Sequence, residues 1–501
     1  MERDIRMAVT IYNALTRRKE PLEPVEPGRI GIYLCGPTVY KKSHIGHGVG
    51  PVIFDAIRRW LEQMHGYQVT LVLNVTDVED KLIDEAKAQG RPMLEIAEEI
   101  TTDYLKSVQA MNVRMPTYMP KATEHIAEII GVVGRLIDRG YAYQVDGDVY
   151  FDVTRCEGYG KLSGRSKEEQ EAGTREVAGA EGKRHAWDFA LWKSAKPDEP
   201  SWDSPWGKGR PGWHIECTAM SMKYLGETFD IHGGGRDLVF PHHENEIAQS
   251  ECATGKPFAK YWVHHGLTRV DQRKMSKSLG NIRTLESLLS EYPGEVLRFF
   301  ILSTHYRRPI DFSDEEIRKV RRGMQTFYRL FDRVARITGQ DVYALAAIPA
   351  PVRDEKLSEA AEGFVNAIDE HRGKLVEAMN DDFNTAEAIA SLYEMAHAAN
   401  SFIEAAEIGS DSPDEEKRTL LTGVQTLRHY AMMLGLFEQP PQTAVSDELT
   451  GSLMELLIEV RASARQAKQY AIADRIRDRL VELGVQLKDT KEGTTWERAS
   501  Q

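Results

Sequence analysis

Residues Arg29–Pro37 read RIGIYLCGP, and this short apolar run decides the fold. Its length and its isoleucines are typical of a buried strand, and the Gly-Pro pair ends it. A polar turn follows, and His44–His47 (HIGH) then opens a stretch with helical spacing of apolar residues that continues through Leu61. A strand, a turn and a helix in this order predict a doubly wound α/β domain, in which ligands bind at the carboxyl ends of parallel strands.

The alternation of strands and helices continues beyond this unit. Further strands are predicted at Val69–Val75, Thr228–His232 and Tyr261–His265, and helices at Val78–Gln89 and Glu244–Ala253. We therefore expect a Rossmann-like parallel sheet assembled from two separate parts of the chain. Between those parts, residues 121–210 contain a helix, a hairpin and a long polar stretch, which is the pattern of an insertion.

From Asp314 onward the strand pattern gives way to long amphipathic helices. They are predicted at Glu315–Ile337, Lys356–Met379 and Thr385–Ala406, and at Asp447–Lys468 and Ala471–Leu483 in a small terminal module. A proline-containing linker at 439–442 precedes that module. The predicted regions are a Rossmann-like domain at 1–120 and 211–265, an insertion at 121–210, a connecting region at 266–313, a helical bundle at 314–438 and the terminal module at 446–501.

The composition is that of a globular protein with more than one domain. The chain has 501 residues, of which 41% are hydrophobic and 28% charged, and no apolar run reaches the ~18 residues of a membrane span. Four widely spaced cysteines and a charged N-terminus lead us to expect a cytoplasmic protein with reduced thiols. The net charge of −13 argues against a nucleic-acid partner, but basic stretches at 307–322 and 461–479 are either local binding faces or ordinary solvated helix flanks.

Two motifs suit the binding of a nucleotide triphosphate. His44 and His47 flank Gly46, where the missing side chain lets a nucleotide lie close to the backbone while the imidazoles reach phosphate oxygens. Far along the chain, Lys274 and Lys277 belong to the motif KMSKS and supply mobile cations. Positioned cations stabilise the charge that develops when a carboxylate attacks the α-phosphate, so the two motifs predict an enzyme that activates its substrate with ATP.

A second group of residues suits a metal ion. His242 and Glu246 are four residues apart and project from one face of a helix, while Cys35 and Cys217 offer thiolates, a set that suits zinc. The cysteines form no Cys-x-x-Cys motif, however, and ordinary buried thiols beside a capped helix explain the same residues. Other residues of suitable type are expected to be hydrogen-bonded, exposed or structural: His243, Glu244, His264, His265, Cys156 and Cys252.

Several motifs together resemble those of bacterial-type cysteinyl-tRNA synthetases, a family of class I aminoacyl-tRNA synthetases. Besides the two nucleotide motifs, they are YLCGPTVY at 33–40, NVTD at 74–77, GRPGWHIEC at 209–217, FDIHGGG at 229–235, PHHENE at 241–246 and DDFNT at 381–385. The resemblance covers essentially the whole chain. It implies that a monomer activates L-cysteine with ATP and Mg²⁺, and transfers it to the 3′ end of tRNA(Cys).

The resemblance also assigns roles to residues. It implies one zinc ion per chain on Cys35, Cys217, His242 and Glu246, catalytic contacts from Lys277, Lys274, His44 and His47, and a cysteine pocket at Thr76, Trp213 and His232. It makes 266–313 a stem-contact region and the terminal module an anticodon-binding domain that uses Arg465, Asp474 and Asp489. Since a thiolate is a far better zinc ligand than a hydroxyl, the metal would select cysteine against serine, and no editing domain is expected.

One departure from the family pattern and two alternative functions are left open. Relatives commonly place an arginine after the first motif, whereas this chain has Gly48–Pro51, so another residue must supply any such cation. Proline in a first helical turn is tolerated, and the helix should persist.

A related ligase joins adenylated cysteine to an amino-sugar amine, but the module after Pro441 favours tRNA. The intact Lys277 and histidine pair argue against a nonenzymatic nucleotide-binding protein.

Overall fold

The computed structural model describes residues 8–165, 182–270, 273–274, 283–353, 356–441, 447–483, 485–490 and 493–498. The chain forms two compact units, Met1–Glu438 and Gln439–Gln501. Among the described helices, none combines the length and the apolar composition that a membrane span requires.

The predicted helices are present, with small changes at their ends. In chain order the helices are α1 (Ile45–Gln63), α2 (Asp80–Gln89), α3 (Met93–Ala110), α4 (Ile126–Asp138), α5 (Trp213–Leu225), α6 (Glu244–Thr254), α7 (Leu285–Glu291), α8 (Gly294–Leu302), α9 (Asp314–Thr338), α10 (Glu359–Asn380), α11 (Thr385–Ala405), α12 (Asp414–Met433), α13 (Asp447–Gln466) and α14 (Tyr470–Glu482). Helix α8 was not predicted from the sequence, because residues 296–302 are all buried and the helix therefore has no polar face.

The four predicted strands of the α/β domain are also present, and shorter ones accompany them. The strands are β1 (Thr10–Asn13), β2 (Arg18–Pro21), β3 (Arg29–Leu34), β4 (Gln68–Leu73), β5 (Ala142–Val145), β6 (Asp148–Phe151), β7 (Phe189–Ser194), β8 (Gly209–Pro211), β9 (Phe229–Gly235), β10 (Ala259–His265), β11 (Thr268–Val270), β12 (Arg273–Lys274), β13 (Ile310–Phe312), β14 (Val485–Thr490) and β15 (Gly493–Arg498).

The central sheet has the strand order β10-β9-β3-β4, and all of its pairs are parallel. Two of its strands come from before the insertion and two from after it, so the predicted doubly wound α/β fold is confirmed. Helix α1 packs so closely on this sheet that a side chain at Gly233 of β9 would collide with the ring of Phe54. The first turn of α1 and the carboxyl ends of β3 and β9 line one cleft.

Pro51 lies inside α1 and not in its first turn, which corrects the expectation from the sequence. The helix begins at Ile45, with His44 as its N-cap, and continues past the proline to Gln63. Because proline has no amide hydrogen, it cannot donate the helix hydrogen bond to the carbonyl of His47. The helix persists because its surroundings are well packed: residues 48–57 of α1 are all buried.

The insertion contains a four-stranded antiparallel sheet in the order β5-β6-β7-β8. Its first two strands form the predicted hairpin, and its turn residues Asp146 and Gly147 both have a positive φ, as a tight hairpin turn requires. The last two strands were not predicted; β8 has only three residues, too few for an alternating pattern. Helix α4 packs with this sheet, α5 and α6 in one apolar core.

A buried ionic joint, which consists of Asp55, Arg59, Arg298 and Glu438, links α1 and α8 to the segment after α12. Both Arg59 Nε and Arg298 Nη2 lie 2.7 Å from Asp55 Oδ2, and Arg59 also pairs with Glu438. Arg298 Nε donates to the carbonyl of Leu434 at 2.7 Å. Two guanidinium groups and two carboxylates thus balance one another in a site where Asp55 and Arg298 are fully buried.

The second compact unit contains α13, α14 and the antiparallel β14–β15 hairpin. Both helices agree with the predicted pair. Trp496 lies on β15 opposite Leu487 and is partly buried.

Candidate functional site

A cleft of about 440 Å³ opens at the carboxyl ends of β3 and β9. Predicted site residues from distant parts of the sequence line it: Cys35, His44, Gly46, His47 and Trp213. Cys35 directly follows β3, the histidine pair begins α1, and Trp213 begins α5. The cleft therefore lies where a doubly wound fold binds its ligands.

The two histidines of the first motif form a stacked pair at the start of α1. Their ring centroids are 3.8 Å apart, and the amide of His44 donates to His47 Nδ1 at 3.4 Å. Burial and the neighbouring His44 ring lower the pKa of His47 to about 3, so its imidazole is neutral near pH 7. A neutral imidazole at a helix N-terminus can donate a hydrogen bond to an anion.

The two motif lysines are described only in part. Lys274 lies on β12, which pairs with β11, and Thr268 at the start of β11 lines the cleft. Lys277 lies outside the described residues. Lys81, which the sequence did not single out, contributes a cation to the lining of the cleft from the first turn of α2.

The four predicted metal ligands converge at the end of the cleft. One ligand atom from each of Cys35, Cys217, His242 and Glu246 lies within 4.8 Å of the other three. The two Sγ atoms are 3.9 Å apart, Cys35 Sγ is 3.7 Å from Glu246 Oε1, and His242 Nε2 is 3.0 Å from the same oxygen. Ligands around a tetrahedral zinc ion are separated by about 3.3–3.8 Å, and the three distances lie within about 0.3 Å of this range.

Neighbouring histidines hold the outer atoms of two of these ligands. His214 Nδ1 lies 2.8 Å from His242 Nδ1, and His232 Nε2 lies 2.8 Å from Glu246 Oε2. The inner atoms, His242 Nε2 and Glu246 Oε1, thereby face the two thiols. Outer hydrogen bonds of this kind orient metal ligands in proteins.

The electrostatics of the group favour bound cations. Burial is opposed by His232 and His242, which lower the pKa of Glu246 to about 2. The hydrogen bond from Cys35 lowers the pKa of Cys217 to about 6, whereas burial and Cys217 raise the pKa of Cys35 well above its usual range. Burial lowers the pKa of His242, but Glu246 and Cys217 raise it to about 10. The group alone thus carries a carboxylate, a thiolate and an imidazolium, and a divalent cation would release the protons of Cys35 and His242.

A second, overlapping set was missed in the sequence. Cys35, His232, His243 and Glu246 also bring their ligand atoms within 4.8 Å of one another, and His243 Nε2 is 3.4 Å from Cys35 Sγ. His243 was expected to be hydrogen-bonded or exposed; it is buried, and its Nδ1 lies 2.8 Å from a nitrogen of His264. The sequence does contain a signal that His243 could be a metal ligand, namely its position next to His242 in the motif PHHENE. Sequence spacing alone cannot decide which of the two rings faces the thiols.

The predicted cysteine-pocket residues lie around the same group but differ in exposure. Trp213 lines the cleft, is 37% exposed, and has its ring 4.4 Å from that of His242. Thr76 follows β4 and is buried, with its hydroxyl 3.4 Å from the side-chain nitrogen of Asn74. His232 is fully buried against Glu246.

Curated proteins with known names match this chain over nearly its full length. A "Cysteine--tRNA ligase" of Heliobacterium modesticaldum is 48% identical over 98% of this chain and 100% of its own length. The protein of the same name from Geobacter sulfurreducens is 47% identical over 98% of this chain and 99% of its own. The chain belongs to the cysteine–tRNA ligase family.

Family models and solved structures agree with this assignment. The model of the class I (C) tRNA synthetase catalytic domain matches residues 21–322, and that of the DALR domain matches residues 374–438. A Mycobacterium tuberculosis methionyl-tRNA synthetase, solved with methionyl-adenylate, is similar in fold, with a TM-score of 0.60 and 16% identity over 86% of this chain and 94% of its own. The fold of this cysteine–tRNA ligase family member is thus that of the class I synthetases.

The predicted anticodon residues of this family member lie in its second compact unit. Arg465 is in the last turn of α13, and Asp474 on α14 pairs with Arg477 at 3.4 Å. Asp489 lies on β14, with its side chain outside the described part. The basic stretch 461–479 is less open than its sequence indicates, because Arg461 is buried.

Proposed function

We propose that this chain activates L-cysteine with ATP to cysteinyl-adenylate and pyrophosphate, and then transfers cysteine to the 3′ end of tRNA(Cys) with release of AMP. The observation that carries the proposal is a buried group of four metal-ligand side chains that opens, through Cys35 and Trp213, onto a cleft lined by the histidine pair. Membership of the cysteine–tRNA ligase family supports the same activity.

The proposed roles of the cleft residues follow from their chemistry. His44 and His47 would donate hydrogen bonds to phosphate oxygens of ATP, and Gly46 leaves room for the nucleotide. Lys274 and Lys277 would stabilise the charge on the pentacoordinate α-phosphate, while Mg²⁺ accompanies the released pyrophosphate. Lys81, already in the cleft lining, would supply the cation that the sequence GVGP lacks after the histidine motif.

We further propose one zinc ion on Cys35, Cys217, His242 and Glu246. This set is preferred over the one with His243 because His232 and His214 already orient Glu246 and His242 toward the thiols. When bound, the ion would accept the thiolate of the substrate and reject the hydroxyl of serine. Trp213 would cover the substrate side chain, and Thr76 and His232 would shape the base of the pocket.

The remaining regions have proposed roles in tRNA binding. Residues 1–120 and 211–265 would bind cysteine and ATP, 121–210 is the insertion, 266–313 would contact the acceptor stem, 314–438 is the helical bundle, and 446–501 would read the anticodon through Arg465, Asp474 and Asp489. Base edges of unstacked nucleotides can accept hydrogen bonds from an arginine and donate them to carboxylates. We propose a monomer that works in the cytoplasm, and light scattering of the purified protein measures its mass.

The decisive experiment measures ATP–pyrophosphate exchange with cysteine, with serine and with no amino acid, followed by charging of tRNA(Cys). We expect exchange with cysteine alone, and stable charging. Exchange without charging would refute the transfer step and favour a ligase that passes cysteine to an amine. Exchange that is equal with serine would refute the role of the metal in selection.

A further inference from the structure

Two cysteines outside the metal-ligand group lie close together. Cys156 follows a short 3₁₀ turn of the insertion, Val153–Arg155, and Cys252 lies near the end of α6. Their Sγ atoms are 3.2 Å apart, both thiols are free, and the residues are 7% and 8% exposed. The sequence separates them by 96 residues, so only the tertiary fold brings them together.

The surroundings of this thiol pair differ from those of a metal site. Its neighbours belong to an apolar core of α4, the insertion sheet and α6, for example Leu136 and Ala253. Among the described residues, each group of His, Cys, Asp and Glu that suits a metal includes Cys35, and none includes Cys156 or Cys252. Two adjacent thiols without further ligands are suited to forming a disulfide.

The two thiols are not equivalent. Cys252 donates its hydrogen to Cys156 Sγ, which lowers the pKa of Cys156 and raises that of Cys252, although burial opposes the first shift. Among the nearby charges, Glu251 disfavours the Cys156 thiolate and Lys161, with which Glu251 pairs, favours it, so the hydrogen bond from Cys252 decides the direction of the shift. Since the thiolate is the form that attacks an oxidant, Cys156 is the more reactive of the pair.

We propose that Cys156 and Cys252 are a reversible disulfide site that responds to hydrogen peroxide. The Cys156 thiolate attacks the peroxide O–O bond, so that Cys156 becomes a sulfenic acid and, with one proton, a water molecule leaves. The Cys252 sulfur then attacks the Cys156 sulfur, the S–O bond breaks, and the hydroxyl leaves as a second water molecule with the Cys252 proton. In total two thiols lose two hydrogen atoms, and one peroxide becomes two waters.

The disulfide would fasten the insertion covalently to α6. The segment after Cys156 already contacts the start of that helix: the amide of Ser163 donates to the Glu244 carboxylate at 2.7 Å, and Tyr159 donates to Asn245 at 2.5 Å. Helix α6 also carries Glu246. Oxidation would therefore reinforce a contact that the reduced protein makes through hydrogen bonds, without removing any metal ligand.

The test treats the reduced, zinc-loaded full chain with a small molar excess of hydrogen peroxide and maps its cysteines by peptide mass spectrometry. We expect two of the four thiols to be lost, a linked Cys156–Cys252 peptide pair, full recovery with dithiothreitol and unchanged zinc content. Oxidation of Cys35 or Cys217 while the other pair stays reduced would overturn the proposal. Sulfinic acid at Cys156 in place of the disulfide would also overturn it.

Two serine variants test the order of the steps. Cys252→Ser should leave a sulfenic acid at Cys156 that dimedone traps, whereas Cys156→Ser should leave Cys252 unmodified at the same peroxide dose. The reverse pattern would show that Cys252 is the attacking thiol and would overturn the assignment. If either variant fails to fold, titration of the wild-type pair in glutathione buffers decides, because a pair that stays reduced in fully oxidised glutathione refutes the site.

Discussion

The ionic joint and the metal-ligand group are both buried polar clusters of the first compact unit, but they differ in how their charges are balanced. In the joint, the guanidinium groups of Arg59 and Arg298 face the carboxylates of Asp55 and Glu438. In the metal-ligand group, two thiols and a carboxylate face imidazoles. The charges of the joint are therefore balanced without a ligand. In the other cluster, both thiols lose their protons only when a cation is bound.

This comparison predicts that the two clusters fail in different ways. Substitutions in the metal-ligand group should abolish activity while changing the free energy of unfolding less, because these side chains interact with a bound cation and not with the apolar core. Changes in the ionic joint should remove stability and leave the metal site intact.

The largest effect is expected when a metal ligand is removed. Cys217→Ala should lose zinc with a more than about 100-fold drop in affinity, beyond the 10–100-fold cost of changing an outer partner, and should lose cysteine-dependent exchange. Zinc content by mass spectrometry and the exchange assay check this.

The matched control, Cys252→Ala, removes a buried thiol outside the group and should keep its zinc. If Cys217→Ala still discriminates normally against serine, the proposed role of the metal is contradicted.

The next largest effect is expected in the ionic joint. Arg298→Met leaves Asp55 with one guanidinium partner in place of two and removes the donor to the Leu434 carbonyl, so the free energy of unfolding should fall by about 3–5 kcal/mol. Denaturant unfolding measures this loss. The folded variant should retain its zinc, and the double variant Asp55→Leu with Arg298→Met should regain part of the stability. Loss of zinc in the folded single variant would break the comparison.

A smaller effect is expected from His214, which contacts a metal ligand but is not one itself. His214→Phe removes the nitrogen that orients His242, so zinc affinity should fall about 10–100-fold while the ligand set stays complete. Competition with a chromogenic chelator measures the affinity. An unchanged affinity would indicate that the alternative set with His243 holds the ion.

The smallest effect is a pH dependence at the entrance of the cleft. The pKa of His47 is about 3 in the folded chain, so the unfolded chain binds a proton below about pH 6.5 that the folded chain does not. The stabilisation is complete above pH 6.5 and is lost as the pH falls toward 3, with up to about 1.4 kcal/mol lost between pH 7 and 5.5. Thermal unfolding across this range should show a shallower slope for His47→Asn than for the wild type. Equal slopes would place the acid sensitivity elsewhere.

The sequence predicted the central sheet because buried parallel strands are short apolar runs with clear ends, as in Arg29–Pro37. It missed β8, which has only three residues, and α8, which has no polar face, because neither carries a periodic signal. The position of Pro51 was misjudged because the start of a helix depends on its cap, and His44 is not a typical N-cap residue.

For the candidate site, residue types and motif spacing by themselves determined which side chains can bind phosphate or a metal, since that chemistry belongs to the side chains. Only the tertiary structure decided which of them meet. Cys35 and Cys217 are 182 residues apart, Cys156 and Cys252 are 96 residues apart, and both pairs lie within contact distance. Their different neighbours, imidazoles and a carboxylate in one case and an apolar core in the other, arise from the packing of separate chain segments, which no local pattern records.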